Sequence, residues 1–240
     1  MGTAWASVIT DDAMLIINDL RLSTELTENP ALFFRKMTLY MKNAIPRFNR
    51  PPEMKDWLTY KEPAFTDFTY TTEEDYTSDF TVNTELPGYD LVSVGVNTED
   101  VYGNPVYTPF TAFTYDAETG DVSITATAEA PVASGTVFSF DFYTDGEFDN
   151  ELTDEQRRIL ALCIQYAWET AFVNDWLNRV PRAKDASFDA GNVSSQTRAN
   201  TERANAVKKV LDDEMTGYAQ TCEYFQAIPS TSTARIKHPY

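Results

Sequence analysis

Carboxylates are the reactive group this chain carries in excess. Glu73, Glu74, Asp75, Asp141, Asp145 and Glu147 fall on or beside runs that read as strand ends, and two acids flanking a sugar ring are what glycosidic cleavage needs. The surrounding segment is so acidic that such pairs arise without selection for any reaction, and solvated strand edges account for them. The stretch DFYTDGEFD, Asp141 to Asp149, offers clustered carboxylates to calcium but follows no EF-hand spacing. The one histidine, His238, stands near the end of the sequence, which leaves a histidine triad or acid/base pair little to build on. Cys163 and Cys222 lie in apolar helical patterns and read as reduced core residues, and with one His they fall short of a zinc ligand set. Glycine is scarce and no phosphate-cradling loop or nucleophile elbow appears. No catalytic activity, metal or cofactor is therefore expected. Tyr89, Tyr102, Tyr107 and Tyr143 could line a sugar-binding sheet face, which makes a carbohydrate-binding adhesion module the competing reading. Trp5, Trp57, Trp168 and Trp176 all fall outside the β-rich segment and read as helix packing or interface anchors.

The elements that would hold these residues change character along the chain. Thr10 is placed to cap a first helix, with Asp11 and Asp12 in its first turn and Ala13, Ile16, Ile17 and Leu20 on one face. A second helix opens with Asn29 as N-cap and Pro30 at its first position, and presents Phe33, Phe34, Met37, Tyr40, Met41, Ala44 and Ile45 at helical spacing until Pro46. A short helix follows, ending near Leu58. From about Ala64 to Tyr143 the period falls to two: Phe68 and Tyr70, Phe80 and Val82, then Val92, Val94 and Val96 alternate with polar residues. Further strands are expected over Phe110 to Tyr115, Val122 to Ala126 and Val137 to Phe142, with DAETGDV, Asp116 to Val122, as a hairpin connection. Helix returns at Thr153, which forms a capping box with Gln156. Ile159, Cys163, Tyr166, Val173, Trp176, Leu177 and Val180 make its apolar stripe. After a polar link around Ala190 and Gly191, a last helix carries Val207, Leu211, Met215, Tyr218, Cys222 and Phe225 on one face and stops near Pro229.

Charge follows the same division. Residues 62–150 hold 18 Asp and Glu and not one Lys or Arg, so the other 19 acids are balanced by all 19 bases and the net charge of -18 resides in the β-rich segment. A chain so negative repels nucleic acid and anionic membrane. No run nears the roughly 20 apolar residues of a membrane span, and acids occupy the first twenty residues where a signal peptide wants positive charge. The expected protein is soluble, made in the cytoplasm, and has a β-domain inserted into a helical one.

The segments WASVITDDAMLIINDLRL, NPALFFRKMTLYMKNAIPRFNRPPEMKDWL and LTDEQRRILALCIQYAWETAFVNDWLNRV, followed by a last helix and a loose tail, together resemble the head-to-tail adaptor (connector) proteins of tailed bacteriophages, in particular siphovirus-like phages of gut bacteria. The resemblance covers both helical flanks and leaves the β-segment as a variable insertion. It implies an α+β fold: a four-helix adaptor-type bundle formed by 1–60 and 151–226, an antiparallel β-sandwich or barrel over 61–150, and an extended C-terminal docking tail over 227–240. It implies a structural virion protein at the head-to-tail junction, a homo-oligomeric ring of about twelve copies closed by a heterologous contact. The portal protein and tail or neck proteins are the implied partners, with genome DNA passing through the channel unbound. Ile228, Pro229, Ala234, Arg235, Ile236, Lys237, His238 and Tyr240 become the candidate portal-docking arm. Phe33, Phe34, Met37, Tyr40, Tyr166, Trp168 and Trp176 become candidates for packing between protomers. A different neck or tail ring component is the nearest alternative. The acidic insertion is expected on the outside of the ring, where it leaves the channel open.

Overall fold

The computed structural model describes residues 2–99, 102–103, 105–179 and 190–226, with side chains given in the two long helices at 154–171, 173 and 197–222. Among these residues the chain is α+β, with six helices and three antiparallel sheets. Helix α1 spans 5–17 and is continuous, with α-helical ends (Trp5–Ser7, Met14–Ile17) around a π-helical middle at Val8–Ala13. Its start corrects the expectation that Thr10 caps it. Thr10 lies inside the helix, where its hydroxyl donates to the Ala6 carbonyl at 2.8 Å. The true cap comes from far along the chain: the Asp145 carboxylate accepts the Ala6 N–H at 3.0 and 3.1 Å, and the Gly146 carbonyl accepts that of Trp5 at 2.8 Å.

Asn18 adopts a left-handed conformation (φ 47°) and ends α1, and Asp19 caps α2, Leu20–Glu28, by accepting from the Arg21 N–H. Leu20 thus begins a new helix and is 80% exposed, away from the Ala13 and Ile17 face it was grouped with. Helix α3, Pro30–Ala44, starts as its sequence requires: Asn29 Oδ1 accepts from the Leu32 N–H at 3.0 Å and Pro30 takes the first position, where a missing N–H costs nothing. A 3-10 turn, Ile45–Arg47, ends it at Pro46, and α4 is the short Met54–Trp57. In α5, Asp154–Arg179, the capping box forms in both directions, Thr153 N–H to Gln156 Oε1 at 2.9 Å and Gln156 N–H to Thr153 Oγ1 at 3.3 Å. Helix α6, Ala190–Gln226, begins where a polar link was expected.

Helix α5 is the centre of the helical core: α1, α3 and α6 all pack on it. Ile9, Phe33, Met37, Met41, Ile159 and Cys163 have no solvent exposure there, and Leu211 and Met215 close the α6 side. No member of this core lies between residues 62 and 146. The chain leaves it through β2, Tyr60–Lys61, and returns through β10, Glu147–Phe148, which pair antiparallel with Lys61 opposite Glu147. The N-terminal β1, Thr3–Ala4, pairs on the other side of β10. Trp5, Tyr60 and Phe148 cluster their rings on this three-stranded stitch, with centroids 4.9 to 6.1 Å apart.

Between those two strands lies a second core. A four-stranded sheet, in the order β3 (Ala64–Thr71), β9 (Val137–Thr144), β5 (Asp90–Glu99), β6 (Pro105–Pro109), faces a three-stranded sheet of β4 (Phe80–Asn83), β8 (Asp121–Ile124) and β7 (Phe113–Asp116). Phe138, Phe140 and Phe142 of β9 meet Val82, Val122 and Ile124 between the sheets, so this is a sandwich. The expected hairpin forms at β7–β8, with Asp116 opposite Asp121 and Gly120 at φ 78°. Two strand readings need correction. The Val92, Val94, Val96 alternation is broken by a bulge between Leu91 and Ser93, which places Leu91 rather than Val92 with Val94 and Val96 against the core. The run Phe110 to Tyr115 is strand from Phe113 on, as part of β7, but its first three residues are the β6–β7 connection, and β6 lies just before them. Prolines at both ends of β6 disguised it, and as an edge strand it tolerates them.

Candidate functional site

The outer face of the four-stranded sheet brings together more polar chemistry than any one strand shows. Because Phe68 and Phe140 point inward as cross-strand partners, Asp67 and Asp141, their neighbours and also directly paired, both point outward. Ser93 on β5 lies on the other side of Asp141 and donates its hydroxyl to that carboxylate. Tyr107 of β6 crosses Gly95, where a Cβ would stand 2.1 Å from the ring, and donates from its hydroxyl to Ser93 Oγ at 3.1 Å. Arg35 of α3 completes the row by pairing with Asp67 and sits over the Phe65 ring, 5.3 Å from its centroid. Burial holds the Asp141 carboxyl above the ordinary aspartate range. The Ser93 hydrogen bond opposes this, and the Asp67 charge adds to it. The face is open rather than a chamber: Asp67 is exposed and Tyr107 is 40% exposed. It offers hydrogen-bonding groups beside an aromatic ring.

No family model and no curated protein matches this chain.

The other expected site residues separate. Glu73, Glu74 and Asp75 lie at the far tip of the sandwich, where Asp75 accepts from the Ser134 N–H at 2.7 Å. The Asp141 to Asp149 stretch does not converge on one point: Asp141 serves Ser93, Asp145 caps α1, and Glu147 accepts from the Gly2 N–H at 3.2 Å. Among the described residues no three Asp, Glu, His or Cys side chains gather as a metal site. Of the four tyrosines, Tyr143 is buried, stacking on Phe34 at 4.8 Å, and Tyr89 packs against the sandwich core, while Tyr102 and Tyr107 remain at the surface. Burial also holds the Cys163 thiol up at about 12, so it is an inert core residue at neutral pH.

The residues proposed to pack between protomers are mostly enclosed within one. Phe33 and Met37 have no exposure and Trp168 has 7%, because the α3 and α5 stripes face each other in the helical core. Neither Phe33 nor Met37 has surface to give a neighbour. Phe34, Tyr40 and Tyr166 are partly buried against that core. Trp176 lies on α5 beyond the side chains described, and Ile228, Pro229, Ala234, Arg235, Ile236, Lys237, His238 and Tyr240 lie outside the described residues. Among the described residues no helix is long and apolar enough to cross a membrane. Asp67, Ser93 and Gly95 are the site residues that sequence reasoning missed. Alternation alone puts Asp67 on an outer face, but only register shows which acid it meets.

Proposed function

We propose that the chain is a head-to-tail adaptor of a tailed bacteriophage, a structural virion protein assembling as a ring between portal and tail. The observation that carries this is the division of the molecule: helices from both ends of the sequence share one core, and an acidic sandwich with a core of its own is inserted through a three-stranded stitch. A body made of α1, α3, α5 and α6 can form a ring wall from which the insertion projects. The 227–240 segment serves in this reading as the docking arm, adding to a groove or sheet edge of the portal. The acidic sandwich decorates the outside of the ring, where its charge supplies solubility and guards its strand edges from pairing.

The test is to mix the purified chain with the portal ring of the same virus and image the mixture by electron microscopy, comparing full length with a chain ending at Ala227. A coaxial ring beneath the portal, lost on truncation, supports both the adaptor role and the arm. Binding by neither form removes the adaptor reading.

One observation favours a second reading, glycan binding. Tyr107 lies flat across Gly95 beside Asp141, Ser93 and Asp67 on an open sheet face, an aromatic platform with flanking acceptors suited to sugar hydroxyls. Binding on a glycan array that disappears with Tyr107→Ala supports that reading. A silent array removes it.

A further inference from the structure

Among the described residues more than half of the bases pair with acids, and three of those that do not are grouped. Among the described residues, Arg21, Arg35, Lys36, Lys42, Arg157, Arg158, Arg198 and Arg203 each have a carboxylate within ion-pair distance. Arg47, Arg50 and Lys208 have none in that set, although the protein carries almost two acids for every base. These three line one cavity of about 210 Å³ together with Asn49, Tyr166 and Asp212. Arg47 and Arg50 come from the link after α3, Tyr166 from α5 and Lys208 from α6, so parts of the chain far apart in sequence build the pocket. Arg47 is held by the Tyr166 ring, its guanidinium carbon 4.9 Å from the centroid, and Arg50 reaches Thr216 Oγ1 at 3.5 Å. Three bases against one acid leave the pocket positive on a molecule of net charge -18.

The volume and the donors select the ligand class. Pockets for whole small molecules run to about 300 Å³ and above, so this one fits a single oxyanion head group. Guanidinium forks favour carboxylate or phosphate. The rest of the molecule selects between the two. Residues 62–150 carry 18 acids and no base, and Glu73 and Glu74 stand exposed at the far tip of the sandwich. A second copy of the chain supplies the carboxylate itself, since it presents a locally acidic tip to the locally basic pocket. The same copy cannot fill its own pocket. Strand β3 starts at the stitch and its eight residues carry the tip about 26 Å away from it.

We propose that the Arg47, Arg50, Lys208 pocket receives carboxylates from the sandwich tip, Glu73 and Glu74, of a neighbouring copy, so that charge complementarity supplies a head-to-tail contact between protomers. The contact is heterologous, acid tip to basic pocket, and repeats from copy to copy as a ring wall requires. This assignment rests on the ring reading for its purpose and on the pocket for its chemistry.

A zero-length carboxyl-to-amine crosslinker tests it directly, applied to a concentrated equal mixture of isotopically light and heavy full-length chain at low salt. Peptide mass spectrometry is expected to find Lys208 joined to Glu73 or Glu74 in mixed light–heavy pairs. Arg47→Glu with Arg50→Glu should lower that yield roughly tenfold or more, with the helical signal and melting point retained. Adding Glu73→Lys with Glu74→Lys in a second copy should restore association of the reversed chain, a readout that misfolding cannot produce. Absence of mixed pairs at Lys208, or a yield indifferent to charge reversal, overturns the proposal. Inorganic phosphate or short duplex DNA binding at this pocket, without mixed pairs, would overturn it in favour of a phosphate site. Rings that form under the portal with the reversed variant remove the pocket and keep the adaptor. Mixed pairs from a chain that fails to bind the portal ring in the imaging test remove the adaptor and keep the pocket.

Discussion

At the scale of single residues, Asp141 is where the fold works against a charge. It faces Asp67 directly across two strands, and its folded-state carboxyl is held above its unfolded value, chiefly by burial. Such a group binds more protons folded than unfolded. Its contribution to stability is therefore full below the unfolded value and is lost as pH rises through the folded one. Asp141→Asn keeps an acceptor for the Ser93 hydroxyl, gives Asp67 an amide donor and removes the like-charge pair. The expected result is a chain more stable at neutral pH by about 0.5 kcal/mol, with a flatter melting curve against pH above the ordinary aspartate range. Equal pH profiles for the two proteins would show that the pair carries no such penalty. Gly146 makes the opposite case: a Cβ there would stand 2.8 Å from the Trp5 ring and 2.9 Å from Pro63. Gly146→Ala is expected to cost about 1–3 kcal/mol by overpacking, read as a drop in the denaturant midpoint. Neither site was legible beforehand, since residue types name an acid or a glycine and only the register supplies its neighbour.

At the scale of elements, legibility tracked how local the determining interaction is. The Asn29–Pro30 start of α3 and the Thr153–Gln156 box of α5 are complete within four residues, and both form as the sequence implies. The α1 start was misread because its capping carboxylate, Asp145, lies 139 positions away from Ala6. No local pattern encodes that partner, and Thr10 with two following acids imitates a cap. The two threonines therefore separate in a stability measurement. Thr153→Ala is expected to lower unfolding free energy by about 1 kcal/mol, whereas Thr10→Ala removes a hydroxyl placed between the Ala6 carbonyl and the exposed Asp11 carboxylate and should shift it by less than half as much. Equal losses in chemical denaturation would mean that Thr10 contributes a capping function after all. The β-strands show the same rule: Phe138, Phe140 and Phe142 alternate as read, while the bulge at Val92 and the proline-bounded β6 depend on sheet position that alternation does not carry.

For the whole molecule, the change of period and of charge near residue 62 coincides with the passage from one cluster of buried residues to another, because each core must bury its own kind of face. Among the described residues the buried members of the helical core come from both ends of the chain and none from between 62 and 146. Contacts do cross between the two parts: Arg35 and Lys42 of α3 pair with Asp67 and Glu62, and Phe34 stacks on Tyr143. Both ion pairs are substantially exposed, and pairs of that kind contribute at most about 1 kcal/mol each. The sandwich should accordingly be dispensable for helical folding. Lys61 and Glu147 are already opposite partners in an antiparallel pair, so replacing residues 62–146 with Asn-Gly closes β2 and β10 as a two-residue hairpin of the favoured turn type, at a cost of about 1 kcal/mol for the lost Asp145 and Gly146 cap of α1. The shortened chain is expected to keep its helical circular dichroism and melt cooperatively. It also loses every acid of the sandwich, so it should yield none of the mixed crosslinks at Lys208 while remaining folded. A shortened chain that is unfolded would mean that the sandwich is a structural support for the helices, and the two cores would then have to be treated as one folding unit.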